Sequence, residues 1–200
     1  MVSRQTFGAK PTVLRCSRCG KFVDWAEARL QVVCECRVRV ELPPVLVREA
    51  TDDDRRATMA LFERDFGRTK VVAFGSLMVL DDAPALVAEM KGELAGALAY
   101  RLRGDAVQIV ALATDPTWQR SGVGGHLVAE AELMTRRLHL ASIVVATTND
   151  NLPSLYFYQR RGYYITEVIP GALVPHNPEP DNVGFGGIPV RDEVRLRKVL

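Results

Sequence analysis

The sequence lacks any apolar run long enough to span a membrane, and its start, MVSRQTFGAK, lacks the apolar core of a signal peptide. It also lacks a strong charge imbalance, since 26 Lys and Arg face 24 Asp and Glu, so net charge gives no argument for a nucleic-acid partner. No internal repeat or low-complexity tract is present. We therefore expect a cytoplasmic globular chain whose 200 residues suit one domain with a small appendage.

Cysteine is absent from most of the chain, and its four occurrences all fall near the start, as C-x-x-C and C-x-C. Disulfides are rare in a reducing compartment, whereas four thiolates around a tetrahedral ion make a closed structural site. We therefore predict that residues 1–43 form a zinc-ribbon module that needs Zn²⁺ to fold and binds it through Cys16, Cys19, Cys34 and Cys36. Free cysteines and a redox pair remain as alternatives.

The N-terminal segment is more basic than the remainder, with eight Lys or Arg against four Asp or Glu through Pro44. A basic face fits RNA or an acidic partner. No aromatic-rich stripe accompanies it, however, so a solvated surface is the favoured interpretation. The run Leu42-Pro43-Pro44 then marks the boundary of a second domain over residues 44–200.

The second domain has an α+β pattern. Strands are predicted at Val45–Glu49, Ala85–Met90, Glu93–Arg103, Val107–Ala113, Ser142–Ala146, Tyr163–Ile169 and Arg191–Leu200. We expect a mixed, mostly antiparallel sheet of six or seven strands flanked by about four helices. The strands at Val107–Ala113 and Ser142–Ala146 should run parallel, because a helix connects them. The segment Lys70–Leu80 fits a strand, a short helix or a covering loop.

The most informative stretch is a glycine-rich turn, QRSGVGG from Gln119 to Gly125, between a strand and an amphipathic helix. Main-chain N–H groups at such a turn point at one spot, where the helix dipole favours an anion. Gly122 and Gly124 would let a diphosphate approach the backbone. No Lys-Ser/Thr pair follows and the G-x-G-x-x-G spacing is absent, so neither nucleotide fingerprint applies. A plain tight turn is the structural alternative.

The spacing Q-x-x-G-x-G, with Arg120 inside it, resembles the acyl-CoA loop of the GNAT family of N-acyltransferases. A second segment, NLPSLYFYQRRGYY from Asn151 to Tyr164, resembles the family's N-x-x-A-x-x-L-Y-x-x-x-G-F segment. Three positions depart mildly from that pattern: Ser154, Phe157 and Tyr163. The two motifs come in the right order, and the resemblance covers roughly Val45 to Leu200, outside the zinc module.

The resemblance implies an acyl-CoA-dependent N-acyltransferase that uses acetyl-CoA and a primary amine, with direct attack on the thioester. It implies a pantetheine arm between two splayed parallel strands and a β-bulge near Leu112. Tyr158 would be the catalytic acid near the sulfur, because a phenol with a pKa near ~10 suits a developing thiolate. The coenzyme-binding set it implies is Val110, Ala111, Leu112, Ala113, Gln119, Arg120, Ser121, Gly122, Val123, Gly124, Gly125, His126, Asn151 and Tyr158.

The general base is not assigned by the sequence, because the strand Gln108 to Ala113 carries no acidic residue. The remaining candidates are Asp115, Asp150, Glu167, Asp192 and Glu193. Asp192 and Glu193 also suit binding of a cationic amine. Water is an alternative proton acceptor, which would need no dedicated base.

Two other interpretations stay open. In the first, the chain is a non-catalytic protein, an acyl-CoA sensor or a zinc-ribbon adaptor. In the second, it is an enzyme that its basic segment directs to RNA. For the main interpretation, the partner is an amine on a small molecule or a protein. No membrane partner is expected, and the prediction allows a homodimer.

Overall fold

The computed structural model describes residues 13–15, 22–24, 31–33, 39–41, 44–176 and 182–200. Two antiparallel strand pairs come first: β1 (Val13–Arg15) with β2 (Phe22–Asp24), and β3 (Gln31–Val33) with β4 (Arg39–Glu41). The four cysteines of the predicted zinc module lie outside the described residues. The zinc site and the domain boundary therefore stay predictions.

The remaining strands begin just after the two prolines of the predicted boundary. In chain order they are β5 (Leu46–Glu49), β6 (Lys70–Ala73), β7 (Ser76–Val79), β8 (Ala85–Met90), β9 (Glu93–Arg103), β10 (Ala106–Thr114), β11 (Ser142–Thr148), β12 (Tyr164–Ile169) and β13 (Glu193–Val199). Strands β6 and β7 pair only with each other. The other seven form one sheet in the order β12-β13-β11-β10-β9-β8-β5.

Three α-helices occur in the described residues, where the sequence predicted about four: α1 (Arg55–Phe66), α2 (Val123–Arg137) and α3 (Leu152–Gln159). One helix fewer is found because the segment Lys70–Leu80, for which a short helix was one possibility, forms the β6–β7 hairpin. No helix in the described part of the chain has both the length and the apolarity that crossing a membrane requires.

Helix α1 begins and ends where its sequence dictates. The Asp54 carboxylate accepts hydrogen bonds from the Thr51 amide and hydroxyl, at 2.8 and 2.9 Å, and so closes the 3-10 turn Asp52–Asp54 that leads into the helix. Gly67, with φ of 69°, ends it, and its N–H donates to the Glu63 carbonyl. Arg48 of β5 also donates to Asp54 at 2.6 Å and lowers the pKa of that carboxyl, which ties the helix to the sheet.

The core has one layer on each face of the sheet. Helix α2 covers one face, where Ile109, Leu127 and Ile143 are at most 1% exposed, and helix α1 covers the other with Phe62. Helix α2 packs closely because β9 carries Gly96. A Cβ there would lie 2.7 Å from Val123 Cγ1 and 2.9 Å from the Ala113 carbonyl oxygen. This glycine therefore sets how near the start of α2 comes to the end of β10.

Most of the sequence-based strand boundaries are correct to within two residues. All neighbouring pairs in the large sheet are antiparallel except β10 and β11, which run parallel as expected from the connecting helix. The predicted β-bulge is present but displaced. The register with β9 shifts between Ile109 and Ala111, so the extra residue is Val110, not Leu112.

Candidate functional site

Strands β10 and β11 separate halfway along their length. Their parallel register runs from Ala106 opposite Ser142 to Ile109 opposite Val145 and stops there. Both strands continue, but β10 now pairs only with β9 and β11 only with β13. Within the described ranges, the β10 edge from Val110 to Ala113 therefore has no partner on its β11 side, and the bulge lies where the gap opens. An unpaired strand edge of this kind can hydrogen-bond an extended ligand.

The turn after β10 is held in shape by its own polar groups. Asp115 accepts from the Thr117 amide at 2.8 Å and from Arg64 of α1 at 2.9 Å, which fixes the chain as it leaves the strand. The turn then passes through Arg120 with φ of 65° and Gly122 with φ of 92°. The positive φ of Gly122 suits glycine, because a residue with a Cβ is strained in this left-handed region of the backbone.

Four consecutive amides at the start of α2 are available to a ligand. In the described part of the chain, Gly122, Val123, Gly124 and Gly125 have no acceptor for their N–H groups, because the helical bonding starts with His126 donating to the Gly122 carbonyl at 3.0 Å. The helix dipole adds partial positive charge at the same place. The predicted anion-binding turn therefore has the required geometry.

The turn residues divide into those that support it and those that face solvent. Ser121 is 5% exposed, and both its amide and its hydroxyl donate to the Trp118 carbonyl. Trp118 is itself 7% exposed and packs in the core. Ser121 thus holds the turn rather than offering its own donors. Arg120 and His126 have exposed side chains, and Gln119 donates to the Thr114 carbonyl.

Helix α3 brings the second motif against the first. A Cβ at Gly124 would lie 3.6 Å from the Phe157 ring and 3.7 Å from Thr114 Oγ1, so the end of β10, the start of α2 and helix α3 meet there. Asn151 accepts from the Ser154 amide at 3.1 Å and caps α3. The resemblance implied a coenzyme contact for Asn151, and that role stays a prediction beside the cap.

Tyr158 lies on the buried side of α3. It is 2% exposed, and its ring contacts Phe157 and Tyr163 edge-on, at centroid distances of 5.0 and 5.3 Å. Burial raises its pKa above the usual value for a phenol. The group therefore remains a protonated hydrogen-bond donor at physiological pH.

The β6–β7 hairpin covers the sheet face opposite α2. Its tip, Phe74-Gly75, has positive φ at both residues, and the guanidinium carbons of Arg101 and Arg195 lie 5.6 and 5.8 Å from the centre of the Phe74 ring. The Gly75 amide donates to Glu193 at 3.4 Å. The tip thus closes over β13 beside the separated ends of β10 and β11.

The five candidate bases differ in their exposure and in the hydrogen bonds that their carboxylates accept. Asp150 accepts from Thr148 and from the Phe185 amide, and Asp192 accepts from the Gly171 amide, so both hold the segment that precedes β13. Asp115 holds the turn, and Glu167 is exposed. Glu193 is 2% exposed, and among the described residues only the Gly75 amide, through a long bond, reaches its second oxygen. Glu193 is therefore the one with spare accepting capacity next to the gap.

Arg161 is a residue at this site that sequence reasoning missed. It follows α3, and its guanidinium carbon lies 3.7 Å from the Phe157 ring centroid. A Cβ at Gly125 would come within 2.5 Å of its Nη2 atom, so the guanidinium rests on the first turn of α2. The doubled arginine before Gly162 was the available signal, but only the fold separates Arg161 from its exposed neighbour Arg160.

Comparisons with known proteins agree with this geometry. The profile of the Acetyltransferase (GNAT) family matches residues 46–163. YdhI of Bacillus subtilis (strain 168) is 29% identical over 143 residues, which are 70% of this chain and 88% of that protein. The N-acetyltransferase YvbK of the same organism is 31% identical over 105 residues, 52% of this chain and 66% of that protein.

Among solved structures, the chain is similar to a GNAT family acetyltransferase from Elizabethkingia anophelis with acetyl-CoA bound. The TM-score is 0.63 at 21% identity, and the match covers 78% of this chain and 98% of that one. At this identity the likeness establishes the fold. The family match covers more than half of the chain, so the protein belongs to the GNAT family and is an acetyltransferase.

Proposed function

We propose that the protein transfers the acetyl group of acetyl-CoA to a primary amine by direct attack of the amine on the thioester. One observation carries the proposal: β10 and β11 separate beyond Ile109 and Val145, next to four helix-start amides without acceptors. A gap beside an unpaired strand edge suits the pantetheine arm, and the helix start suits the diphosphate. Acetyl-CoA in the E. anophelis relative supports the same cosubstrate here.

The proposed roles follow from where each group lies. The amides of Gly122 to Gly125 bind the diphosphate, and the β10 edge from Val110 to Ala113 binds the pantetheine amides. The amine nitrogen bonds to the carbonyl carbon, the carbon–sulfur bond breaks, and the thiolate of coenzyme A takes a proton. Tyr158 is the proposed proton donor, because its buried phenol is protonated.

On the acceptor side we assign the proton-accepting role to Glu193. Arg195 Nε donates to one carboxylate oxygen at 2.6 Å and so orients the carboxylate. From the part of the chain that the structure describes, the other oxygen accepts only the 3.4 Å bond from Gly75 at the hairpin tip, which an ammonium group would replace. A cationic amine entering beneath the tip would therefore meet a desolvated carboxylate and lose its proton there.

The test combines calorimetry with acetyl-CoA and release of free thiol over a panel of primary amines, including peptide N-termini and lysine side chains. We expect wild-type protein to bind acetyl-CoA and to release thiol only when an amine is present. Glu193→Gln should bind acetyl-CoA normally and lower kcat by about 100-fold, the usual scale for losing a general base.

Glu89→Gln is the matched control, because Glu89 likewise carries a carboxylate bonded to an arginine, Arg48, at 2.9 Å. It lies on β8, away from the gap, and should leave kcat unchanged. Binding of acetyl-CoA without turnover of any amine would favour the sensor interpretation instead. Wild-type turnover by Glu193→Gln would remove that residue from the mechanism.

We also propose the structural zinc site in the N-terminal segment. The ladder of β1 and β2 ends at Arg15 opposite Phe22, and that of β3 and β4 ends at Val33 opposite Arg39. Each cysteine pair therefore falls, in sequence, in the connection between two paired strands. Two such connections with two thiols each supply the four ligands of a tetrahedral zinc site.

Elemental analysis of purified protein tests the zinc proposal. We expect about one zinc per chain for wild type and a loss of most of it in Cys16→Ser and Cys34→Ser, because three thiolates leave the site open. Acetyl-CoA binding should persist in both variants, since the GNAT sheet starts after this segment. Full zinc content in either variant would contradict the assignment.

A further inference from the structure

Arg161 has an unusual electrostatic environment. Its Nη1 donates to the Phe157 carbonyl at 3.1 Å, and its guanidinium stacks on the Phe157 ring. Within residues 44–176 and 182–200, no carboxylate forms an ion pair with it. Burial lowers its pKa, because the cation has lost part of its hydration and the attraction of the nearby Glu132 carboxylate offsets that loss only in part.

The position of Arg161 at the start of a helix is also unfavourable for a cation. The guanidinium rests on Gly125, in the first turn of α2, where the helix dipole is positive. A cation at this end of a helix is repelled, whereas an anion is attracted. Both the four unsatisfied amides and the half-buried guanidinium would be stabilised by one multiply charged anion at this place.

We propose that Arg161 binds a phosphate group of the coenzyme and that Gly125 is glycine because the guanidinium needs that space. The proposal rests on acetyl-CoA binding at the turn. Stacking on Phe157 fixes the plane of the guanidinium, so its free N–H groups are oriented before the ligand arrives. A planar fork of this kind suits two phosphate oxygens.

The two glycines in sequence therefore have different functions. Gly124 packs at ordinary contact distance from Phe157 and leaves its amide open, whereas Gly125 makes room for a side chain from α3. The coenzyme phosphate would then be held by main-chain groups of α2 and by one side chain from the second motif. This arrangement joins the two motifs in one binding site.

Arg161→Met tests the proposal, because methionine still covers the Phe157 ring but carries no charge. Calorimetry with coenzyme A should show Kd raised by about tenfold or more, the scale of one lost charge-assisted contact. Arg160→Met is the control, since the Arg160 guanidinium is exposed and bonded to the Tyr156 hydroxyl at 2.8 Å. It should bind coenzyme A as wild type does.

A second ligand, 3′-dephospho-coenzyme A, identifies the phosphate. An equal loss with both ligands assigns Arg161 to the diphosphate, and a loss confined to coenzyme A assigns it to the 3′-phosphate. Gly125→Ala gives an independent variant, because its methyl group displaces the guanidinium without removing it, and it should also weaken binding. Unchanged affinity for coenzyme A in both folded variants would overturn the proposal. If wild-type protein fails to bind coenzyme A, the proposed function itself fails.

Discussion

Tyr158→Phe should lower kcat by about 100-fold while the Kd for acetyl-CoA stays within about twofold of wild type. The hydroxyl is proposed to act only when the carbon–sulfur bond breaks, so its loss affects the transition state and not the bound coenzyme. The ring stays in place, because phenylalanine keeps its contacts with Phe157 and Tyr163. Steady-state kinetics with the amine found in the panel, together with calorimetry, measures both quantities.

Tyr163→Phe is the matched control for that experiment. Tyr163 is 3% exposed, burial also raises its pKa, and its ring packs against that of Tyr158. Tyr163→Phe removes a buried hydroxyl from the same aromatic cluster, so it controls for the loss of a hydroxyl at that place. Similar kcat values in the two variants would show that Tyr158 acts through packing rather than proton donation.

The pH dependence gives a further check on the same residue. Because burial raises the pKa of Tyr158, its protonated form persists to higher pH than in a free phenol. The wild-type rate should therefore show no fall caused by loss of this proton below about pH 10, the ordinary range for tyrosine. A descending limb near neutral pH that disappears in Tyr158→Phe would contradict a protonated donor.

Local sequence patterns were sufficient for most of the sheet. Apolar runs between turn residues predicted β8, β9 and β10, and the helical stretch between β10 and β11 predicted their parallel pairing. The helix start was less accurate: the sequence placed the glycine-rich turn as far as Gly125, whereas α2 begins at Val123. The first turn of α2 contains two glycines, which have no side chain and so do not contribute to the apolar pattern that locates a helix.

The candidate site was predicted only in part, because its remaining features depend on contacts between distant segments. The bulge was placed by analogy near Leu112, and the pairing with β9 decides that it falls at Val110. Five acids were equal candidates in the sequence, and only the hairpin tip over Glu193 distinguishes that one. Arg161 looked the same as Arg160 until α3 packed against α2.

Gly124→Asp should abolish most acetyl-CoA binding without harming the fold. A carboxylate about 5 Å from a phosphate charge costs about 3 kcal/mol at an effective dielectric constant near 20, or roughly 100-fold in Kd. The added Cβ has room, since it would lie 3.6 Å from the Phe157 ring. An acidic residue in the first turn of a helix also stabilises it by about 0.5 kcal/mol.

Folding and binding should therefore change in opposite directions, which separates this variant from a simple loss of structure. Gly124→Asn is the control, because it has nearly the same size and no charge. If the diphosphate rests on the start of α2, the aspartate variant should bind acetyl-CoA far more weakly than the asparagine variant, and added salt should narrow the difference. Equal and near-normal affinities in the two variants would mean that the coenzyme phosphates lie elsewhere, and the free amides of Gly122 to Gly125 would then need another ligand.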